Sequence, residues 1–327
     1  MSSSPTRIIA LARHEYRAAV RSKILAALIG ILVVVTVASV YIAATKYRSQ
    51  VADFRAARAA APTGNPGQLP PTPFALLALL RGAMEYLEII GAVIAITLGY
   101  LSVSRERVNR TLPLIRSRPV TSRQLAAGNI LGALAIIATL VLVTAIAAVL
   151  CLGFVGHDWP NGEQMLKLLL AYFAAVLYLG VFYCLGAVCT IRSRVAVNGL
   201  MAALGIWLLV VLVIPQIGDT LDADNQLPGG LFSALALDKP QEIKVVSHFD
   251  TYEKIRNGIE ETSFAKHFER FTFAMTDVKA SDRGLNIWEL IQAKQHDIYW
   301  TIFWMLLLGT AFTRAFRRQP ILPEGGT

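Results

Sequence analysis

The sequence predicts an all-α polytopic protein that crosses a membrane several times. The chain is 55% hydrophobic with a mean hydropathy of +0.52, which is more apolar than typical soluble domains. Its apolar residues form runs that exceed the roughly 18 residues suggesting a bilayer-spanning helix. Its arginines cluster between those runs, as in the loops on one side of a membrane. Because lipid offers the backbone no hydrogen bonds, each span is expected to be helical.

Six apolar runs are predicted to be spans, namely 24–45, 86–104, 125–154, 168–191, 195–218 and 298–313. The sixth is the shortest. These spans divide the chain into four parts. A cytoplasmic helix at 1–23 is followed by the first five spans at 24–218, which include a basic loop at 105–124. A mostly helical extracytoplasmic segment at 219–297 then precedes the last span and a cytoplasmic tail at 298–327.

The basic residues also predict the orientation. With the N-terminus inside, the inside segments hold 16 of the 31 basic residues but only three of the 22 acidic ones. Because lysine and arginine concentrate in short cytoplasmic loops, we predict that both termini are cytoplasmic and that 46–85 and 219–297 lie outside. The net charge of +9 therefore reflects topology, and no nucleic-acid partner is expected. The first residues do not resemble a cleaved signal peptide.

The residues before the first span predict an amphipathic helix at the membrane surface. Its apolar face is formed by Ile8, Leu11, Ala12, Tyr16, Ala19 and Val20. Arg13, Arg17 and Arg21 form the opposite stripe, which is expected to face anionic lipid headgroups. Glu15 falls near the apolar face. Either it pairs with a neighbouring arginine, or it contacts another chain or the arginines of the 105–123 loop.

The loop between the second and third spans holds a dense basic cluster. The stretch SRERVNRTLPLIRSRPVTSRQL, residues 104–125, carries six arginines and one acidic residue, Glu106. Thr121 followed by Gln124 has capping-box spacing and predicts a helix start. The residues before it are long enough for one or two helical turns that dock in a groove of a partner protein. A plain basic loop resting on lipid headgroups is the alternative.

Several features of the predicted outer side have two interpretations. Arg81, Glu85 and Glu88 are spaced for one helix face, where they form a local ion pair or line an outer vestibule. The stretch FALLALLRGAMEYLE at 74–88 is an interfacial helix or the outer end of a long second span. Pro215 breaks the fifth span where a gate would be useful, or marks its end. The segment 219–297 is expected to lean on the membrane helices or on a second copy.

Other function classes find little support in the sequence. No G-x-x-x-x-G-K-[ST] stretch is present, so the chain is not expected to bind ATP through a P-loop. No HExxH or CxxC spacing occurs, and neither enzymatic activity nor a cofactor of its own is expected. The spans carry no charged residue near their middle, with Glu85 and Glu88 at an outer end, which disfavours a secondary carrier.

The chain resembles the permease subunits of ABC-2-type ABC transporters. The resemblance rests on LARHEYRAAVRSK at 11–23, ERVNRTL at 106–112, RPVTSRQL at 118–125 and GNILG at 128–132. The family pattern after the second span is E-R-x-x-G-T-L, then P-V-[ST]-R-x-x-L, then G-K. Arg110 stands where the family has glycine, and Asn129 where it has lysine. Within the family, the layout of the spans is most similar to that of the permeases of gliding-motility and nitrous-oxide-reductase-maturation systems.

This resemblance implies a homodimer of six-helix chains in the bacterial inner membrane, with ATP bound by a P-loop ATPase in trans. It also implies a cytoplasmic coupling helix that contacts the ATPase through Arg105, Glu106, Arg107, Arg110, Thr111, Leu112, Leu114, Arg116, Arg118 and Pro119. The expected function is translocation, with export favoured, of a substrate that the sequence does not name. The alternative is a membrane scaffold that recruits an extracytoplasmic partner. The GxxxG sequence GNILG is weak evidence for a dimer face.

Overall fold

The computed structural model describes residues 4–60, 75–108, 121–221, 250–279, 282 and 284–317. Within these residues there is no strand. The twelve α-helices are α1 Ser4–Val20, α2 Lys23–Ala60, α3 Arg81–Tyr86, α4 Ala92–Val108, α5 Ser122–Gly156, α6 Gly162–Arg192, α7 Ala196–Trp207, α8 Ile214–Thr220, α9 Asp250–Glu261, α10 Phe264–Met275, α11 Ile287–Ala293 and α12 Gln295–Arg317. A 3-10 turn, Leu76–Leu80, precedes α3, and π-helical segments, Leu87–Gly91 and Leu208–Val213, join α3 to α4 and α7 to α8.

Five helices of the described chain are long and apolar enough to cross a membrane. They are Lys23–Ala59, Leu76–Arg105, Arg123–Gly156, Gly162–Arg192 and Ala196–Gly218. They match the first five predicted spans, so the all-α, multi-pass class is confirmed. The 23-residue helix α12 covers the sixth predicted span but is not among the five, since tryptophans, threonines and arginines dilute its apolar character. The count of six spans therefore stays a prediction.

The helices on both sides of the first outer segment are longer than the predicted spans. Helix α2 continues to Ala60, beyond the predicted span end at residue 45, because 46–60 is rich in alanine and arginine, which favour helix even where the chain becomes polar. The helix that contains the second span begins at Leu76, so most of the stretch at 74–88 is continuous with it, as the second of the two interpretations expected.

Helix α6 lies at the centre of the bundle. It packs against α4, α5, α7, α10 and α12, and its contact with α4 is the most extensive in the fold. Two glycines make this contact close: Gly99 of α4 lies against the backbone of Tyr183, and Gly186 of α6 lies against that of Ile96. A side chain at either position would force the two helices apart.

Two opposite ends of the bundle matter for function. At the elbow end, α1, the first turn of α2, the end of α4 and the start of α5 meet. A compact apolar cluster is buried there, formed by Val103, Leu125, Ala126, Ala187, Ile191, Phe312 and Phe316. At the α10 end, where α6 and α12 begin, α9 and α10 pack against the bundle.

Candidate functional site

Helix α1 packs along the start of α5 at the elbow end. Two glycines of α5 accommodate it: a Cβ on Gly128 would lie 2.5 Å from the Cβ of Leu11, and one on Gly132 would lie 2.8 Å from the carbonyl oxygen of Ala12. The glycines of the GNILG stretch therefore face α1 of the same chain, and the hint of a dimer face is not supported. The structure shows the predicted apolar face of α1 with one exception, since Val20 is 57% exposed.

An ion pair connects α1 to the end of the second span. Arg105 Nη2 donates to Glu15 Oε1 at 3.0 Å, and Arg105 Nε donates to the carbonyl oxygen of Leu101 at 3.0 Å. Glu15 is buried on the face of α1 that packs against the bundle. The prediction that Glu15 contacts an arginine of the 105–123 loop is confirmed, within one chain. Arg13 and Arg17 are exposed on the opposite stripe.

Helix α5 begins with the predicted capping box. The backbone N–H of Gln124 donates to Thr121 Oγ1 at 3.3 Å, and the Thr121 N–H donates to Gln124 Oε1 at 3.0 Å. The arginine-rich stretch therefore begins in the last turn of α4, which ends at Val108, and the chain enters α5 at this cap. The remaining residues predicted to contact an ATPase lie outside what the structure describes: the side chains of Glu106 and Arg107, and residues Arg110, Thr111, Leu112, Leu114, Arg116, Arg118 and Pro119. Their role stays a prediction.

Helix α10 is inserted into the bundle at the opposite end. The ring of Phe268, on α10, stacks on the ring of Tyr178 with centroids 4.3 Å apart. The ring centroid of Phe264 lies 4.8 Å from that of Phe182 and 5.7 Å from that of Trp304. These partners lie well inside α6 and α12, several turns from the first residues of those helices. The prediction that the 219–297 segment leans on the membrane helices is confirmed for α10.

A fully buried histidine ties α10 to the start of α12. His267 Nδ1 lies 2.7 Å from Asp297 Oδ1, and His267 Nε2 lies 3.1 Å from the carbonyl oxygen of Glu261. The indole ring of Trp300 stacks on the imidazole with centroids 5.7 Å apart. Both ring nitrogens of the histidine therefore face oxygen atoms, which fixes its orientation in the protein interior.

A buried carboxylate ties α9 to α10. Arg270 Nη2 donates to Glu260 Oε2 at 2.6 Å, and Arg256 Nε donates to Glu260 Oε1 at 3.2 Å. Burial alone would raise the pKa of Glu260, but the hydrogen bonds and charges of Arg270, Lys266 and Arg256 together lower this pKa below its usual value. Glu260 is therefore ionised at neutral pH, and it holds the two helices together from within.

The two carboxylates proposed to line an outer vestibule have different surroundings. Glu85 pairs with Arg81, whose Nε lies 2.7 Å from Glu85 Oε1. Glu88 is buried, and the charges of Glu269 and Lys266 on α10 act on it together with that of Glu85. The three residues were expected on one helix face; Glu88 lies in the π-helical segment Leu87–Gly91, within the continuous helix that begins at Leu76. Lining of an outer vestibule by Glu85 and Glu88 stays a prediction.

The fifth span contains a carbonyl that accepts a hydrogen bond from a side chain outside the helix. The Ile214 N–H, which would bond Val210 in an α-helix, donates to Leu209 instead. In π-helical register the donor to Val210 would be Pro215, which has no N–H. Ser263, just before α10, donates its hydroxyl to the Val210 carbonyl at 2.6 Å. Pro215 therefore breaks the α-helical register without ending the helix, which continues to Thr220.

Sequence reasoning missed Ser263, His267 and Asp297. Ser263 had a signal, since a serine directly before a helical stretch can cap it, and its hydroxyl accepts the N–H of Lys266, three residues on, at 3.4 Å. The pairing of His267 with Asp297 gave no signal, because the two residues are 30 positions apart.

Comparison with known proteins gives one assignment. The family described as ABC-2 family transporter protein matches residues 9–318, nearly the whole chain. No curated protein matches the sequence. The match includes α1, the five spans, the inserted helix α10 and α12. The chain therefore belongs to the ABC-2 family and is a permease subunit of an ABC transporter.

Proposed function

We propose that this permease forms the membrane path of a homodimeric exporter whose ATP-binding subunit docks on the arginine-rich loop at the elbow end. The observation that carries the proposal is the contact of Glu15 with Arg105 at 3.0 Å. Arg105 is the last described side chain before the loop. A force applied to the loop would act on α4 directly and on α1 through this ion pair.

The loop also returns into the helix on which α1 rests. Its far end is the capped start of α5, and α1 packs on Gly128 and Gly132 within the first turns of that helix. Movement of a docked ATPase would thus reach α1, α4 and α5 together. This arrangement supports residues 105–119 as the coupling region, with charge complementarity to an acidic groove giving the specificity of docking.

We infer the direction of transport from the α10 end of the bundle. The charge asymmetry of the loops supports a cytoplasmic position of the elbow end, and α10 would then close the bundle from outside. A substrate would then enter from the cytoplasm or the inner leaflet, which makes the transporter an exporter of the bacterial inner membrane. Nucleotide hydrolysis in the partner subunit supplies the energy, and the permease itself carries out no bond chemistry.

The test is reversal of loop charge. We expect that Arg116→Glu with Arg118→Glu leaves membrane insertion intact, because the other loop arginines keep the segment basic. Like charges facing each other across an interface cost several kcal/mol, and about 1.4 kcal/mol is already tenfold in affinity. The double variant should lose the ATPase during gentle purification, and stimulated ATP hydrolysis should fall with it.

The matched control is Arg317→Glu with Arg318→Glu, which changes charge equally at the end of α12. This control should keep the ATPase at normal stoichiometry. If the loop variant also retains its ATPase, docking at residues 105–119 is refuted and the scaffold function is favoured.

A further inference from the structure

A small cavity lies at the elbow end between α1, α2 and α4. It has a volume of about 220 Å³ and is lined by Ala18, Ala19, Arg21, Ser22, Leu25, Leu98, Leu101 and Arg105. The lining combines two arginines with leucines and alanines. A cavity with this mixed lining suits a ligand that has an anionic group joined to an apolar chain.

Both arginines have N–H donors that no described residue accepts. Arg105 uses Nη2 for Glu15 and Nε for the Leu101 carbonyl, which leaves Nη1 without a partner in the described part of the chain. Arg21 is exposed, and it forms no ion pair with any described residue. Guanidinium groups bind phosphate through pairs of parallel N–H bonds, more specifically than lysine does. Two residues of this type are among those that line the cavity.

The apolar wall is part of the packed bundle. Ala19, Leu25 and Leu98 are at most 3% exposed, so this side is fixed in place. Leu25 lies in the first turn of the first span, and Leu101 lies one turn before the end of the second. Both positions correspond to the boundary between lipid headgroups and acyl chains. The first amides of α2, which point toward Ser22, add the positive end of a helix dipole.

We propose that this cavity binds the phosphate of an anionic phospholipid, with Arg21 and Arg105 on the phosphate and Leu25, Leu98 and Leu101 against the first methylene groups of its chains. A lipid bound there would join α1 to the first two spans. It would also share Arg105 with Glu15, so that membrane composition would influence the contact next to the arginine-rich loop. Lipid binding at this cavity does not require ATPase docking, although Arg105 also belongs to the predicted coupling region.

The test measures lipid binding to the purified full-length chain by native mass spectrometry. Dioleoyl phosphatidylglycerol, dioleoyl phosphatidylcholine and inorganic phosphate are the three probes. We expect one tightly bound phosphatidylglycerol. Arg21→Gln should weaken this binding about fivefold, the effect of one basic residue near an anionic membrane surface. Ala18→Leu should weaken it as well, because it fills the cavity without changing charge.

The matched control is Arg17→Gln, which removes one arginine from the same exposed stripe outside the cavity. This variant should change phosphatidylglycerol binding less than twofold. Equal losses in Arg17→Gln and Arg21→Gln would indicate diffuse attraction to the stripe and overturn the site. Equal binding of phosphatidylcholine, or displacement of the lipid by inorganic phosphate at the same concentration, would also overturn it. Arg105→Gln serves as a second variant for the cavity.

Discussion

Helices α1 and α10 both pack onto the membrane bundle without spanning it, but they are held in different ways. Helix α1 keeps an exposed arginine stripe and rests on two glycines, with the Glu15–Arg105 ion pair as its connection to the second span. Helix α10 is buried on nearly all sides and is fixed by stacked rings and buried ion pairs. A flat contact over glycines can shift by small steps, whereas interlocked rings must separate all at once.

This difference matches the tasks proposed for the two ends. The elbow end must respond to each cycle of the ATPase and return, so a low-energy contact is suitable. The α10 end must stay closed against leakage until the bundle rearranges, which favours many directional contacts.

The largest effect is expected from Phe268→Ala. Phe268 is 1% exposed and stacks on Tyr178, and removing such a ring typically costs about 3–5 kcal/mol. Equilibrium unfolding in mixed detergent micelles would measure the loss. Leu11→Ala in α1 is the comparison, and it should cost clearly less because Leu11 is only partly buried. Equal losses would show that the two helices are held alike.

An intermediate effect is expected from Gly132→Ala. The added methyl would lie 2.8 Å from both the Ala12 carbonyl oxygen and the Glu15 Cβ, so α1 must move away. Overpacking of this kind costs about 1–3 kcal/mol, measured by the same unfolding experiment. Gly30→Ala is the control, since nothing lies within 4 Å of a Cβ there and alanine is the better helix former. If Gly30→Ala were destabilised as much as Gly132→Ala, the loss in Gly132→Ala could not be assigned to contact with α1.

The smallest effect on stability is expected from the Glu15–Arg105 pair. The arginine side chain is 32% exposed, and pairs with this exposure contribute about 1 kcal/mol or less. A double-mutant cycle with Glu15→Gln and Arg105→Gln would measure the coupling energy. Although the fold should survive, we expect ATP hydrolysis in the assembled transporter to respond less to substrate. Unfolding of either single variant would contradict this assignment.

The sequence was sufficient to predict features that depend on residues close together along one helix. Apolar runs predicted the five spans, and the spacing of Thr121 and Gln124 predicted the cap of α5, because each depends on residues a few positions apart. The unusual position of Glu15 on an apolar face also indicated its distant partner, since a buried carboxylate needs a positive group.

The insertion of α10 was not predictable in the same way. Its Lys266, His267, Glu269 and Arg270 give it the appearance of a water-exposed helix. In the fold these charges are compensated by partners such as Asp297 and Glu260, which local periodicity does not reveal. The π-helical turns were equally hidden, although Pro215 indicated a disturbance in the fifth span.

The hydroxyl of Ser263 has a consequence for hydration. It is the donor that satisfies the Val210 carbonyl, because Pro215 has no N–H to give. Within lipid, an unsatisfied carbonyl costs several kcal/mol. Helix α10 therefore cannot leave the fifth span in a dry membrane interior at low cost. Water must reach Val210 as the helix departs, so opening of this end and wetting of the path are expected to be one event.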